Sequence, residues 1–402
     1  MNILFLSLGA YKSINENGIY TDLLREFINH GHNVTILSSM EMKEEKISPV
    51  IKERNCTIVR VFTGKIQKTN VIEKGINTVL IEKRYKNAIK KYLKKISYDL
   101  VLYPTPPITL AGAVLYVKKR DNAISYLLLK DIFPQNAVDI SILKKTGVKG
   151  ILYKYFRLKE KRLYRISDYI GCMSSANVNY LLKHNPEVEN AKVEECPNSI
   201  EVTDKSIDHE KRNKIRNKYE IPIEKKVFIY GGNLGKPQGV DFLIKCMYSQ
   251  RNNEDVYFLI IGDGTEYRKL EMFIQKHPQD NLKLMKRLPK EDYDTMVAAC
   301  DVGMIFLDYR FTIPNFPSRL LSYMQAKIPV LACTDSNTDI GDIIVGGDFG
   351  WKCHSDDVKE FALCVDKAVN SDLVTIGNNA KKYFENNYDV KLGYKIIMKH
   401  LV

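Results

Sequence analysis

Nothing in this sequence pairs its cysteines. The eight of them (Cys56, Cys172, Cys196, Cys246, Cys300, Cys333, Cys353 and Cys364) stand apart, with no C-x-x-C among them. No histidine cluster accompanies them, which argues against a zinc site. Isolated thiols in apolar company suit a reducing compartment, so a cytoplasmic protein is expected. No apolar run approaches the roughly 18 residues of a membrane span. The longest, 108–117, is far shorter. The first residues, Met1-Asn2-Ile3-Leu4-Phe5-Leu6, enter an apolar strand without the basic region of a signal peptide. The G-x-G-x-x-G fingerprint is also missing, so no dinucleotide cofactor is implied.

What remains is a chain of 402 residues, 45% hydrophobic, long enough for two domains of ordinary size. Its charge is uneven. Residues 1–200 carry 32 Lys+Arg against 19 Asp+Glu, a balance of +13, whereas 201–402 carry 29 of each. A basic half beside a neutral half suggests an anionic surface met on one side, either membrane or nucleic acid. A lysine-rich composition with no such partner is the plain alternative.

Strand and helix patterns alternate throughout, as in parallel α/β sheets. Strands are expected at 2–8, 33–38, 58–62, 100–103, 125–129 and 169–173. In the second half they are expected at 227–230, 256–261, 282–287, 302–307 and 328–332, with 335–344 and 349–353 completing the sheet. Residues 71–96 form a helical pattern with Ile72, Ile76, Val79, Leu80, Ile89, Leu93 and Ile96 on one face and lysines crowding its second half. Such a helix either lies on anionic lipid or packs on its own sheet with a solvated lysine face. Between 143 and 166 cations interleave with Tyr153, Tyr155, Phe156 and Tyr164. No nucleic-acid module accompanies them, so a membrane headgroup is preferred to bases. A domain boundary is expected at 200/201, and the last helix, 389–401, is expected to return to the first domain.

The stretch 312–333, TIPNFPSRLLSYMQAKIPVLAC, reads as loop, helix and buried strand. Asn315 or Ser318 can cap the helix, and Pro317 suits its first turn. A helix N-terminus with Arg319 in its first turn favours phosphate, although an ordinary αβ unit with a surface arginine has the same pattern. Glycines after strands let phosphate approach the backbone, as at Gly231-Gly232-Asn233 and Gly262-Asp263-Gly264. Asp131 follows an expected strand and reads either as a functional acid or as a helix cap.

The segment Phe316–Val330, F-P-S-R-L-L-S-Y-M-Q-A-K-I-P-V, resembles the donor-binding segment of retaining GT-B glycosyltransferases of family 4. The motifs G-N-L-G-x-x-Q-G, K-D-I-F-P-Q-N-A-V-D and E-C-P-N-S-I are similar to its capsule and O-antigen branch, which includes L-fucosamine transferases. The resemblance implies two Rossmann-like domains facing across a cleft: 1–200 for the acceptor, 201–388 for a nucleotide sugar, and 389–402 returning. It implies a UDP-sugar donor, a lipid-linked saccharide acceptor, an anionic membrane surface, no nucleic acid, and no metal or other cofactor. No D-x-D metal motif is expected at the donor site.

The two glutamates common in the family are replaced by Pro314 and Ser322, and the usual loop arginine and lysine by Asn233 and Gln238. Lys236 and Arg319 are then expected to supply the positive charge on the diphosphate. Donor contacts are expected from Gly18, Gly232, Asn233, Gln238, Gly262, Gly264, Leu288, Asn315, Ser318 and Ser322. Acceptor contacts are expected from Thr105, Pro106 and Lys130, with Asp131 as base or hydroxyl-binding acid. A non-catalytic nucleotide-sugar-binding subunit and a nucleotide-sugar epimerase are the alternative readings.

Overall fold

The structure, a computed structural model, describes residues 1–41, 49–64 and 71–401, with backbone alone at 71–76 and 290. The chain divides into two units, Met1–Glu201 with Val390–Val402, and Val202–Asp389.

The first unit begins β1 (Asn2–Leu6), α1 (Ile19–Asn29), β2 (Asn33–Met40), β3 (Val50–Glu53) and β4 (Cys56–Phe62). It continues α2 (Val71–Tyr92), β5 (Leu100–Pro104), α3 (Ala111–Asp121), β6 (Ile124–Leu129) and α4 (Gln135–Asp139). It closes with α5 (Gly147–Ile166), β7 (Tyr169–Cys172), α6 (Ser175–His184) and β8 (Val193–Glu195). The sheet order is β3-β4-β2-β1-β5-β6-β7-β8. All pairs are parallel except the edge pair β3–β4. Helices cover both faces, so the central strands are apolar on both sides, and Ile3–Leu6 and Leu100–Tyr103 are buried throughout.

Helix α2 uses its apolar stripe inside the protein. Ile81, Tyr85, Ile89 and Leu93 are buried in the core with β4 and α3, and the lysines face outward. Packing on its own sheet is therefore the observed alternative. Val79 points to solvent instead of joining the stripe, and Ile72 and Ile76 lie outside the described side chains.

The second unit runs α7 (His209–Lys218), β9 (Lys226–Asn233), α8 (Val240–Ser249), β10 (Val256–Asp263) and α9 (Tyr267–Lys276). Then come β11 (Leu282–Met285), α10 (Lys290–Ala299), β12 (Val302–Phe306), α11 (Arg319–Gln325) and β13 (Val330–Thr334). It ends with α12 (Ile340–Gly346), β14 (Gly350–His354), α13 (Val358–Val369) and α14 (Leu373–Asn387). Its sheet is wholly parallel, in the order β11-β10-β9-β12-β13-β14.

Three expectations need correction. Strands β9 and β10 continue past 230 and 261, because Gly232 pairs with Gly262 and Asn233 with Asp263. Strand β11 stops at Met285, two residues early. Residues 335–344 are not a strand. The Asp335 carboxylate accepts from the N–H groups of Asn337 (2.8 Å) and Thr338 (3.0 Å), a turn that leads into α12.

Helix α15 (Val390–Met398) packs on α1 in the first unit. Tyr394 stacks on His30 at 4.1 Å. Beyond the helix, His400 stacks on Tyr169 at 3.6 Å and bonds Glu194 Oε1 at 2.7 Å.

Candidate functional site

In the second unit the site forms where β9 and β10 end. Gly231 lies against Tyr293 of α10, and a Cβ on it would sit 1.8 Å from the Tyr293 hydroxyl. Gly262 lies against the Gly232 carbonyl, which a Cβ would meet at 2.0 Å. The backbone contact admits only glycine at 262, a side chain at 231 would have to displace the Tyr293 ring, and Gly232 and Asn233 are exposed.

Helix α11 places Arg319 beside this backbone. Its guanidinium lies 4.3 Å from the centre of the Tyr230 ring. Its Nη2 would be 3.4 Å from a Cβ on Gly232. Its Nη1 is buried and has no hydrogen-bond partner among the described residues. A buried N–H of a cation without an acceptor is costly, and an anion placed there would relieve it. Tyr323, fully buried beneath, accepts from the Gly231 N–H at 3.2 Å and reaches the carbonyls of Ile229 (3.3 Å) and Met304 (3.2 Å). It ties α11 to β9 and β12. The charge here is the arginine's own, because α11 has only seven residues and a short helix contributes little dipole.

The other expected donor residues divide into exposed and inward-turned. Lys236 is exposed in a 3₁₀ turn, Lys236–Gln238, and makes no ion pair among the described residues. Gln238 turns its carbonyl into the loop, where Oε1 accepts from Asn233 Nδ2 and from the Gly235 N–H, both at 3.1 Å. Asn233 and Gln238 thus shape the turn. Gly264 donates its N–H to Asp263 Oδ1 at 2.8 Å. Asn315 donates its N–H to Thr338 Oγ1 at 3.1 Å and its side-chain amide to the Ile313 carbonyl. Ser318 is exposed at the N-cap of α11 without making a capping bond. Ser322 and Leu288 are half-buried, the latter beyond β11.

Asp292-Tyr293-Asp294 has the D-x-D form, but both carboxylates are engaged. Asp292 pairs with Lys218 at 2.6 Å, and Asp294 with Lys205 at 3.3 Å.

In the first unit, β6 delivers Lys130 and Asp131. Thr105 fixes this bend: its Oγ1 accepts from the N–H of Lys130 (3.0 Å) and of Asp131 (3.1 Å), and donates to the Asp131 carbonyl (3.0 Å). Its hydroxyl is therefore occupied within the fold, while Pro106 is exposed next to it. Lys130 does not present its amine to a ligand. Its Nζ donates to the Cys196 carbonyl at 2.8 Å, and burial lowers its pKa.

Asp131 accepts from Asn136 Nδ2 at 2.6 Å, so it receives a side-chain bond from α4 where a backbone cap was the alternative. Burial pushes its carboxyl up to about 6. Tyr20 is close enough to feel its charge. Gly18 is exposed and precedes α1, its N–H donating to Asp22 Oδ1 at 3.1 Å.

Sequence reasoning missed Tyr230, Tyr293, Tyr323, Tyr20 and Asn136. Tyr230 had a local signal, one residue before the glycine pair, and Tyr323 and Asn136 stood inside the motifs F-P-S-R-L-L-S-Y-M and K-D-I-F-P-Q-N-A-V-D.

Residues 211–389 match the family described as Glycosyl transferases group 1. The chain is 24% identical over 302 residues to the probable glycosyltransferase WbjE of Pseudomonas aeruginosa, covering 72% of this chain and 71% of that one. It is 23% identical over 252 residues to the putative colanic acid biosynthesis glycosyl transferase WcaI of Escherichia coli K12, covering 61% and 60%. Anabaena Alr3699/HepE, solved in complex with UDP-glucose, superposes with a TM-score of 0.70 at 14% identity over 100% of this chain and 99% of that one. The chain is a glycosyltransferase of the GT-B fold, and the segment that matches the group 1 model, 211–389, falls in the unit that carries Arg319.

Proposed function

We propose that this enzyme transfers a sugar, with retention at the anomeric carbon, from a UDP donor to an undecaprenyl-diphosphate-linked saccharide in capsule or O-antigen synthesis. The observation that carries the donor site is the buried, unpartnered Nη1 of Arg319 beside the Gly231-Gly232 backbone. The complex of Anabaena Alr3699/HepE with UDP-glucose supports a nucleotide sugar of this kind. The colanic acid assignment of WcaI supports polysaccharide assembly. An N-acetylated sugar such as N-acetyl-L-fucosamine is the favoured donor sugar, on the resemblance of the P-S-R loop at 317–319 to that branch.

In this reading the acceptor hydroxyl bonds to the anomeric carbon on the face from which the diphosphate leaves. The C1–O bond to the diphosphate breaks with its electron pair going to phosphate. The hydroxyl proton passes to the departing phosphate, and Asp131 holds that hydroxyl by a hydrogen bond. Arg319 and Lys236 meet the charge on the diphosphate, with no metal called on. The enzyme works at the inner face of the cell membrane.

Calorimetric titration with UDP and GDP tests the donor site. UDP binding that weakens in Arg319→Ala is expected. If neither nucleotide binds, the donor-site assignment fails.

A further inference from the structure

Helix α5 is apolar on two faces. One face is inside: Gly150, Glu160, Leu163 and Tyr164 are buried, and Phe156 meets Phe133 at 5.0 Å. The other face is not. Val148 is 85% exposed, Ile151 71% and Leu152 45%, and with Tyr155 they recur at the i, i+3, i+4, i+7 spacing of a single stripe. Ile142 before the helix and Leu158 on its flank are also exposed, which places five large apolar side chains at the surface within 142–158. A contiguous apolar patch of this kind marks an interaction surface.

The surrounding charge says what covers it. Residues 140–159 contain no acid, but they contain Lys144, Lys145, Lys149, Lys154 and Lys159. None of these five has an ion pair among the described residues. Lys159 lies over the Tyr155 ring at 5.6 Å, at the edge of the stripe. Apolar side chains rimmed by unpaired lysines fit the boundary between the headgroups and acyl chains of an anionic bilayer. A second copy of the chain fits poorly, because a two-fold contact through this face would set the same lysines against each other with no acid between them.

We infer that the outward face of α5, with Ile142 before it, is the surface that seats this enzyme on anionic lipid, and that the lysine face of α2 is not. The inference deepens the membrane part of the proposed function by assigning the contact to one helix. Vesicle binding is read without substrate, so its failure would leave the sugar-transfer reading untouched.

The test is co-sedimentation of the full chain with phosphatidylcholine vesicles made with and without phosphatidylglycerol. One variant combines Val148→Ser, Ile151→Ser and Leu152→Ser. A second combines Lys144→Gln, Lys145→Gln, Lys149→Gln and Lys154→Gln. Wild type is expected on anionic vesicles only, and each variant is expected to partition at least about tenfold more weakly. All these side chains are exposed, so UDP binding and melting temperature should hold and report folding. Lys90→Gln and Lys91→Gln on α2, combined with Lys94→Gln and Lys95→Gln in the turn after it, should bind vesicles as wild type does. Equal partition of wild type and both α5 variants would overturn the inference. So would a wild-type dimer that ignores vesicles and dissociates in the serine variant.

Discussion

The guanidinium of Arg319 lies 4.3 Å from the centre of the Tyr230 ring, and the Tyr230 hydroxyl donates to the Asn233 carbonyl at 2.7 Å. The aromatic platform under the cation is thus fixed by the same strand end that exposes Gly232 and Asn233. Arg319→Ala is expected to weaken UDP binding by roughly 1.5–3 kcal/mol, the usual range for a charge-assisted contact. Arg319→Lys keeps the charge but loses the planar group stacked on the ring, so an intermediate loss of about 1 kcal/mol is expected. Isothermal titration of the three proteins measures both.

Gly231 and Tyr293 should behave as a coupled pair. With a Cβ placed 1.8 Å from the tyrosine hydroxyl, Gly231→Ala must displace the ring. Overpacking of this kind costs about 1–3 kcal/mol. Adding Tyr293→Phe removes the clashing oxygen, so the double variant should recover part of that loss. Urea midpoints of the four proteins in this cycle give the coupling, and strict additivity would contradict the packing described.

The Asp131 carboxyl, raised from 3.8 to about 6 by burial, makes stability depend on pH. The folded state holds the proton more tightly than the unfolded chain. Its contribution is therefore most favourable below the unfolded value and is lost as pH rises through about 6. At about 1.4 kcal/mol per unit, Asp131→Asn should be more stable than wild type by about 2–3 kcal/mol at pH 8, with no gain at pH 4. The same variant should turn over about a hundredfold more slowly if Asp131 holds the acceptor hydroxyl. A variant that is destabilised at pH 8 would make the carboxylate a structural group.

Arg216 is fully buried, with Nη2 on Asp301 Oδ2 at 2.7 Å and Nε on the Ala299 carbonyl at 2.9 Å. Asp301 also accepts from the Val227 N–H at 2.8 Å, which ties α7 to the start of β9. Arg212 Nη2 also holds Asp301 Oδ1 at 2.7 Å, so Arg216→Ala removes one of two arginines from that carboxylate together with the buried bonds to the backbone, and should cost about 3 kcal/mol. Thermal unfolding measures it, and UDP affinity of the folded fraction should not change.

The sequence by itself determined the alternation of strands and helices and the glycines at the ends of β9 and β10. Apolar runs buried on both faces and residues that stop helices are local signals, readable without contacts. Tertiary structure decided what each polar side chain faces. Lys130 and Asp131 are neighbours in the chain, yet one is bonded to the Cys196 carbonyl and the other stands by Tyr20 and Asn136. Asn233 and Gln238 read from the sequence as separate ligand contacts, and the fold bonds their side chains to each other. Residues 71–96 read as a basic amphipathic helix and 143–166 as cations interleaved with aromatics, and the sequence could not say which apolar side chains the core would take. Packing of α2 on the sheet buried Ile81, Tyr85 and Ile89. Helix α5 is long enough, and apolar enough on two sides, to fill the core with one face and leave the other outside. Arg319 and Tyr230 meet at 4.3 Å from α11 and β9, which lie far apart in the chain, so no pattern of spacing could have shown it.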